Sequence, residues 1–316
     1  MDVTKKYDVI CVGMALVDSI IKGFDPEPVS ASGYRAESAS LNVGGEAVNE
    51  AMAASKLGLK TSIFCSLGKD AAGDMVAAAL ENCGVDTEMI LRSAEHATPV
   101  TTMFVSDDGT RKSITNGAHR YNFHPELDTG RFTDARALVL GSLFRAPFDN
   151  PRIIHDVMLT AKSNGQIVFA DTKLPNYSVL KLEDLRSSAP MIDYITPNED
   201  EARYYTGETE PEKMANVFLK CGVKNVVIKL GGKGCYFKNT SESFLLPAYP
   251  IRAMDATGAG DNFVAGFASE LLRGETHEAA LCFANACGAI CSTAVGAGTA
   301  LKSREQVLAF MAENRQ

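Results

Sequence analysis

The 316-residue chain is too long for a minimal domain and suits one large α/β domain carrying a small appendage. Hydrophobic residues make up 46% of it, yet no apolar run approaches the roughly 20 residues that span a bilayer, which argues against a membrane protein. The net charge of −8, with no basic block to offset it, argues against nucleic-acid and membrane-surface partners, so an anionic ligand must be held by local groups.

No charged-then-apolar leader precedes Tyr7, which points to the cytoplasm. Residues 7 to 16, YDVICVGMAL, are apolar and β-branched and predict a buried first strand ending at Asp18. Further buried strands are predicted near 61 to 66, 137 to 141, 166 to 170, 191 to 196 and 225 to 230. Helical periodicity falls at about 46 to 57, 71 to 82, 151 to 163, 198 to 205, 211 to 220, 261 to 273, 276 to 292 and 303 to 313. Strand and helix in alternation imply a mostly parallel sheet covered on both faces.

Two segments break this rhythm. Residues 34 to 43 and 98 to 116, the second extending to about 120, alternate polar and apolar positions, and Asp108-Gly109 is a hairpin turn signal. They predict a small accessory sheet, inserted in the core and projecting from one rim as a lid. Residues 234 to 238 and 243 to 246 predict a β-meander at the other end. The eight cysteines form no CxxC pair and have no histidine at metal spacing, so buried thiols are expected.

Ligands of an open parallel sheet bind beyond the carboxyl ends of its strands. Predicted strands end at Asp18, at Asp171-Thr172-Lys173, at Asn198-Glu199-Asp200-Glu201 and at Gly231-Gly232-Lys233-Gly234, which gathers polar residues on one rim. The densest chemical signal is DATGAGDNFVAGF, residues 255 to 267. Here Gly258-Ala259-Gly260 leads into Asp261 and an apolar helical run, so unpaired N–H groups at a helix start lie beside one carboxylate. That pairing suits phosphoryl transfer, and it also makes an ordinary helix cap. No Walker P-loop, GxGxxG turn, GxSxG elbow or HExxH pair occurs.

With Gly44-Gly45-Glu46-Ala47-Val48-Asn49 and Leu57-Gly58 as a first signature, 255 to 267 as a second, and Asn198 to Glu201 between them, the chain resembles the ribokinase-like (PfkB) carbohydrate kinases over nearly its whole length. Within them it is similar to a bacterial sugar-kinase branch whose substrate is open. The resemblance implies a three-layer α/β/α core with a mostly parallel sheet and a β-sheet lid, over residues 1 to 316. It implies Asp261 as the base, Gly258, Ala259 and Gly260 as the anion hole, and Lys173 as a cation facing the phosphates. Asp18, Gly44, Gly45 and Asn49 match sugar-binding positions. Lys229, Gly231, Gly232, Gly234 and Asn285, with Asn198, match the ATP side. Glu201 matches a position holding Mg²⁺ through water, and Asp255 one that binds a monovalent cation, K⁺ most often.

Departures from the family pattern are Ala256 in place of a hydroxyl residue, Glu46 in place of Lys, Ser or a small residue, and Lys173 within a changed DxNxR pattern. Arg145 is a candidate for an anionic group on the acceptor; Arg111, Lys112 and Arg120 belong to the lid region. The expected activity is ATP-dependent transfer to a hydroxymethyl group of a pentose, ketohexose or sugar acid, in a homodimer paired through its lids. A nucleoside kinase, or a regulator that binds sugar or nucleotide without turnover, are the alternatives.

Overall fold

The computed structural model describes residues 5–23, 33, 35–106, 110–116, 123–175 and 180–314. Apolar β-branched runs form the predicted core strands β1 (Tyr7–Val12), β4 (Thr61–Phe64), β9 (Ala135–Leu143), β10 (Ile167–Thr172), β11 (Tyr194–Ile195) and β12 (Asn225–Lys229). With β13 (Cys235–Lys238) and β14 (Ser243–Leu246) they make one eight-stranded sheet in the order β14-β13-β12-β11-β10-β9-β1-β4. The first six are parallel, and the meander β13 and β14 is antiparallel, as its sequence predicts.

Helices cover both faces, because successive side chains of a buried strand point to opposite sides. Val9 and Cys11 of β1 pack with α1 (Glu46–Lys56), α2 (Ala71–Asn82), α6 (Ala259–Leu272), α7 (His277–Cys291) and α8 (Arg304–Glu313). Ile10 and Val12 pack with α3 (Pro151–Ser163), α4 (Glu199–Thr206) and α5 (Pro211–Lys220) on the other face. The eight cysteines are free thiols, all buried or half-buried. At the tight α6–α7 crossing, a Cβ on Gly266 would lie 2.8 Å from Cys287 Sγ, so a small residue is required there.

The lid sheet is β3-β2-β7-β8, built from β2 (Leu16–Lys22), β3 (Ser38–Gly44), β7 (Val100–Val105) and β8 (Arg111–Thr115). A parallel pair, β5 (Ser66–Gly68) with β6 (Leu91–Ser93), forms a separate two-stranded sheet. One element differs from the sequence expectation: the apolar run from Tyr7 to Asp18 is two strands in two sheets. The break is Gly13, where an added Cβ would lie 2.9 Å from the carbonyl oxygen of Gly141. The chain passes too close to β9 for the core strand to continue, and it turns into the lid. Asp18 therefore stands on lid strand β2, paired with Asn42 of β3, and not at the end of a core strand. Tyr34, Asp108-Gly109, Arg120 and the side chain of Arg111 lie outside the described residues.

Candidate active site

Two cavities adjoin at the carboxyl ends of the core strands, sharing Lys229, Gly231, Ala256 and Gly260. The first, about 400 Å³, is lined by Asp171, Lys173, Asn198, Glu201, Thr257, Gly258 and Asp261 and is strongly polar. The second, about 380 Å³, has apolar walls at Tyr249, Pro250, Ile251 and Phe263, with Gly232, Gly234 and Asn285 also on its surface. A charged group fits the first and a flat ring the second. Asn285 Nδ2 donates to the Pro247 carbonyl at 3.2 Å, which fixes the amide on the wall of the second cavity.

Gly258 caps α6 in a left-handed conformation, φ 76°, and a Cβ there would collide with Ala297. The site needs glycine for both reasons. The turn delivers the first amides of α6 into the polar cavity, where the helix's positive end favours an anion. Asp261, in the first turn of α6, is 5% exposed. Burial pushes its carboxyl up to about 6 against the opposing pull of the Lys173 ammonium, and Asn49 Nδ2 donates to Oδ2 at 2.7 Å. Asn49 thus orients the carboxylate and leaves Oδ1 for another partner.

The cations are arranged by buried carboxylates. Lys229 Nζ lies 2.6 Å from Asp171 Oδ1, which also accepts from Thr196 Oγ1 at 2.6 Å. Burial lowers the Lys229 pKa and Asp171 with Glu201 outweigh it, so the ammonium stays charged. A Cβ on Gly260 would sit 3.2 Å from that Nζ, so Lys229 stands directly against the turn at 258 to 260. Lys173 Nζ pairs with Glu46 Oε1 at 3.2 Å. Glu46, which burial would raise, is held down at about 2 by Lys173.

Asn198 and Glu201 form a reciprocal capping box at the start of α4: Glu201 N–H donates to Asn198 Oδ1, and Asn198 N–H to Glu201 Oε2, both at 2.9 Å. Thr172 Oγ1 donates to the same Oε2 at 2.8 Å. This buried carboxylate faces the polar cavity, a donor set that suits a hard cation held through water. Asp255 holds two loops together, accepting from Thr257 N–H and Oγ1 on one oxygen and from Gly296 N–H on the other.

On the lid side, Gly44 makes room for Asp18, whose carboxylate would overlap a Cβ at that position. Burial and the Glu46 charge push Asp18 up to about 6. Gly45 takes φ 98°, and a Cβ there would overlap the Met14 carbonyl oxygen, so only glycine fits. Arg145 stands apart from this set: its Nε donates to the Leu174 carbonyl at 2.7 Å, and it lines neither cavity. The sequence reading did not assign Thr172, Thr196 or Glu50. Among the described residues, Glu50 is a buried carboxyl with no hydrogen-bond partner on either oxygen. Its helical neighbour Asn49 was the only signal for it.

The three-layer core, the β-sheet lid and the glycine turn at the head of α6 with its adjacent carboxylate define a sugar kinase of the ribokinase fold, a phosphotransferase with an alcohol acceptor. The pfkB family carbohydrate kinase profile matches residues 6–304, and the chain belongs to that family. It is 28% identical over 274 residues to a ribokinase of Haemophilus influenzae, covering 85% of this chain and 87% of the relative. It is equally, 28%, identical over 288 residues to a 2-dehydro-3-deoxygluconokinase of Bacillus subtilis, covering 87% and 88%. The structure of Arabidopsis thaliana ribokinase complexed with ribose and ATP superposes with a TM-score of 0.85 at 28% identity, over 96% of this chain and 98% of that one.

Proposed function

We propose that this kinase transfers the γ-phosphate of ATP to a hydroxymethyl group of a small neutral sugar, a pentose or ketohexose. The observation that carries the reading is Asp261, held by Asn49 in one cavity with the α6 amides and two lysines. The carboxylate accepts the proton of the attacking hydroxyl, while the turn at 258 to 260 with Lys173 and Lys229 holds the charge on the moving phosphoryl group. Positioning and electrostatics supply the catalysis.

The adenine would lie between Tyr249, Ile251 and Phe263, beside Asn285. Asn198 and Glu201 would hold Mg²⁺ through water, and the ion would neutralise charge on the phosphates. Asp255 is the residue nearest a monovalent-cation role, with K⁺ as the candidate. The neutral acceptor follows from charge: Asp18, Glu46 and Asp261 surround the acceptor side, its cation Lys173 is already paired, and Arg145 is bonded elsewhere. A carboxylate or phosphate on the acceptor would meet net repulsion. Leu41 and Ile114, 60% and 69% exposed on the lid's edge strands, favour pairing of two lids in a homodimer.

ADP release from ATP across pentoses, ketohexoses, sugar acids, sugar phosphates and nucleosides tests the reading. Turnover is expected with neutral sugars. Preference for an acid or phosphate would refute the charge argument, and absence of turnover with every acceptor would favour a binding regulator.

A further inference from the structure

Lys173 leaves the end of β10 as the third residue of Asp171-Thr172-Lys173, at a point where a chain running off a sheet ordinarily gives its backbone groups to water. Here three of these groups, on Lys173 and Leu174, are held by protein. Lys173 N–H donates to the Leu143 carbonyl at 3.0 Å. The Lys173 carbonyl accepts from Tyr205 Oη at 2.7 Å, and the next carbonyl, Leu174, accepts from Arg145 Nε at 2.7 Å. Three bonds to two consecutive residues fix the root of a side chain whose ammonium pairs with Glu46 Oε1 at 3.2 Å.

The holders are themselves braced. Tyr205 lies on α4, four residues after Glu201 and so on the same face of the helix that carries the capping box. Its ring stacks on Phe144 with centroids 3.9 Å apart. Phe144 follows the end of β9 with φ 77°, and Ser142 has φ 69°; non-glycine residues occupy this left-handed region only where surroundings impose it. The turn is closed by Phe144 N–H to the Phe148 carbonyl and Arg145 N–H to the Ser142 carbonyl, each 2.9 Å. Burial raises the phenol's pKa, so its hydroxyl remains a donor throughout the working pH range.

We propose that Tyr205 is a positioning residue of the phosphoryl transfer: its hydroxyl, carried on the same helix as Asn198 and Glu201, locks the Lys173 backbone so that the ammonium stands in the polar cavity. Arg145 secures the following peptide in the same clamp. This rests on the proposed kinase reaction, and it adds a direct tie between the α4 side of the phosphate cavity and the cation shared with the acceptor side. A lysine loses much rotamer freedom when its ammonium must occupy one place, and a fixed root reduces what remains to be ordered.

The test is Tyr205→Phe, which keeps the ring on Phe144 and removes only the hydroxyl, with Tyr204→Phe as the control on the exposed neighbour. Tyr205→Phe should lower kcat by about 2- to 10-fold, the worth of one hydrogen bond, with the KM for sugar changed less. Tyr204→Phe should leave kcat unchanged. A second readout is the acid limb of the pH–rate profile. Asp261 faces Lys173 and Asp171 from the end of β10, Glu46, Asn49 and Glu50 from α1, and Cys291 from α7. Of these, the Lys173 ammonium is the larger of two groups that hold its pKa down, the other being the Asn49 hydrogen bond, so a loosened lysine moves the limb to higher pH.

In a Lys173→Met background the kcat effect of Tyr205→Phe should vanish, whereas any effect on melting temperature persists. Wild-type kcat and acid limb in Tyr205→Phe would overturn the proposal, as would an undiminished kcat effect in the Lys173→Met background. The kinase reading is tested separately, by turnover of the unsubstituted chain and its loss in Asp261→Asn.

Discussion

Replacing Asp261 with Asn should abolish catalysis and stabilise the free protein at the same time. Asp261 is almost fully buried, and the lift of its carboxyl from 3.8 to about 6 corresponds to about 3 kcal/mol of unfavourable ionisation relative to the unfolded chain. The sign follows from linkage. A carboxyl whose folded pKa is raised stabilises fully below its unfolded value and loses that stability as pH rises through the folded value, here between about 4 and 6. Above pH 6 the wild type carries the whole penalty and the Asn variant none. The amide is isosteric and can turn its oxygen to Asn49 Nδ2, so the 2.7 Å bond survives.

The expected gain at pH 8 is up to about 3 kcal/mol, or about 5 °C in melting temperature for a chain of this size, shrinking toward zero near pH 4. Over the same variant, kcat should fall by about 10²- to 10⁴-fold, the range for loss of a general base. Nucleotide binding should persist. Thermal melts from pH 4 to 8, with turnover and nucleotide titrations, read all three. An Asn variant that keeps near-normal kcat would refute the base assignment. One whose stability advantage does not grow with pH would refute the buried ionisation.

Three further outcomes follow from the same geometry. Lys229→Met leaves Asp171 buried without its ammonium partner and should destabilise the fold by about 3–5 kcal/mol, while raising the KM for ATP; chemical denaturation and steady-state kinetics check it. Glu50→Gln removes a buried carboxyl held well above its usual range by burial and by Asp171, Asp261 and Glu46. Its stability advantage over wild type should grow by up to about 1.4 kcal/mol per pH unit above 4.5, until Glu50 itself ionises, which unfolding curves between pH 5 and 7 would show. Gly258→Ala must both enter a left-handed conformation and displace the loop at Ala297, so it should lower kcat at least about 10²-fold, the scale of losing an oxyanion-type donor, with a lowered melting temperature.

Strand and helix positions were legible because their causes are local. A short β-branched run such as Val226-Val227-Ile228 reads as a buried strand, and the 3.6-residue period of residues 211 to 220 marks a helix against the sheet. The turn Gly258-Ala259-Gly260-Asp261 was equally readable as a glycine-led helix start with a carboxylate in its first turn, since both features sit within one helical turn. The point where β1 leaves the core was not. Nothing near Gly13 in sequence announces the carbonyl of Gly141 that forces the chain into the lid.

The site divides along the same line. The order of residues along the chain sets which residue types are available for the chemistry, because glycine, aspartate and lysine at strand and helix ends carry their conformational and acid–base character with them. Their partners come from folding: Asn49 with Asp261, 212 residues away, Asp171 with Lys229, Glu46 with Lys173. It also drew Arg145 away from the acceptor side and onto the Leu174 carbonyl. Charge state, orientation and the choice between binding a ligand and bracing the chain depend on distances of a few ångströms between segments far apart in sequence, and folding alone fixes those distances.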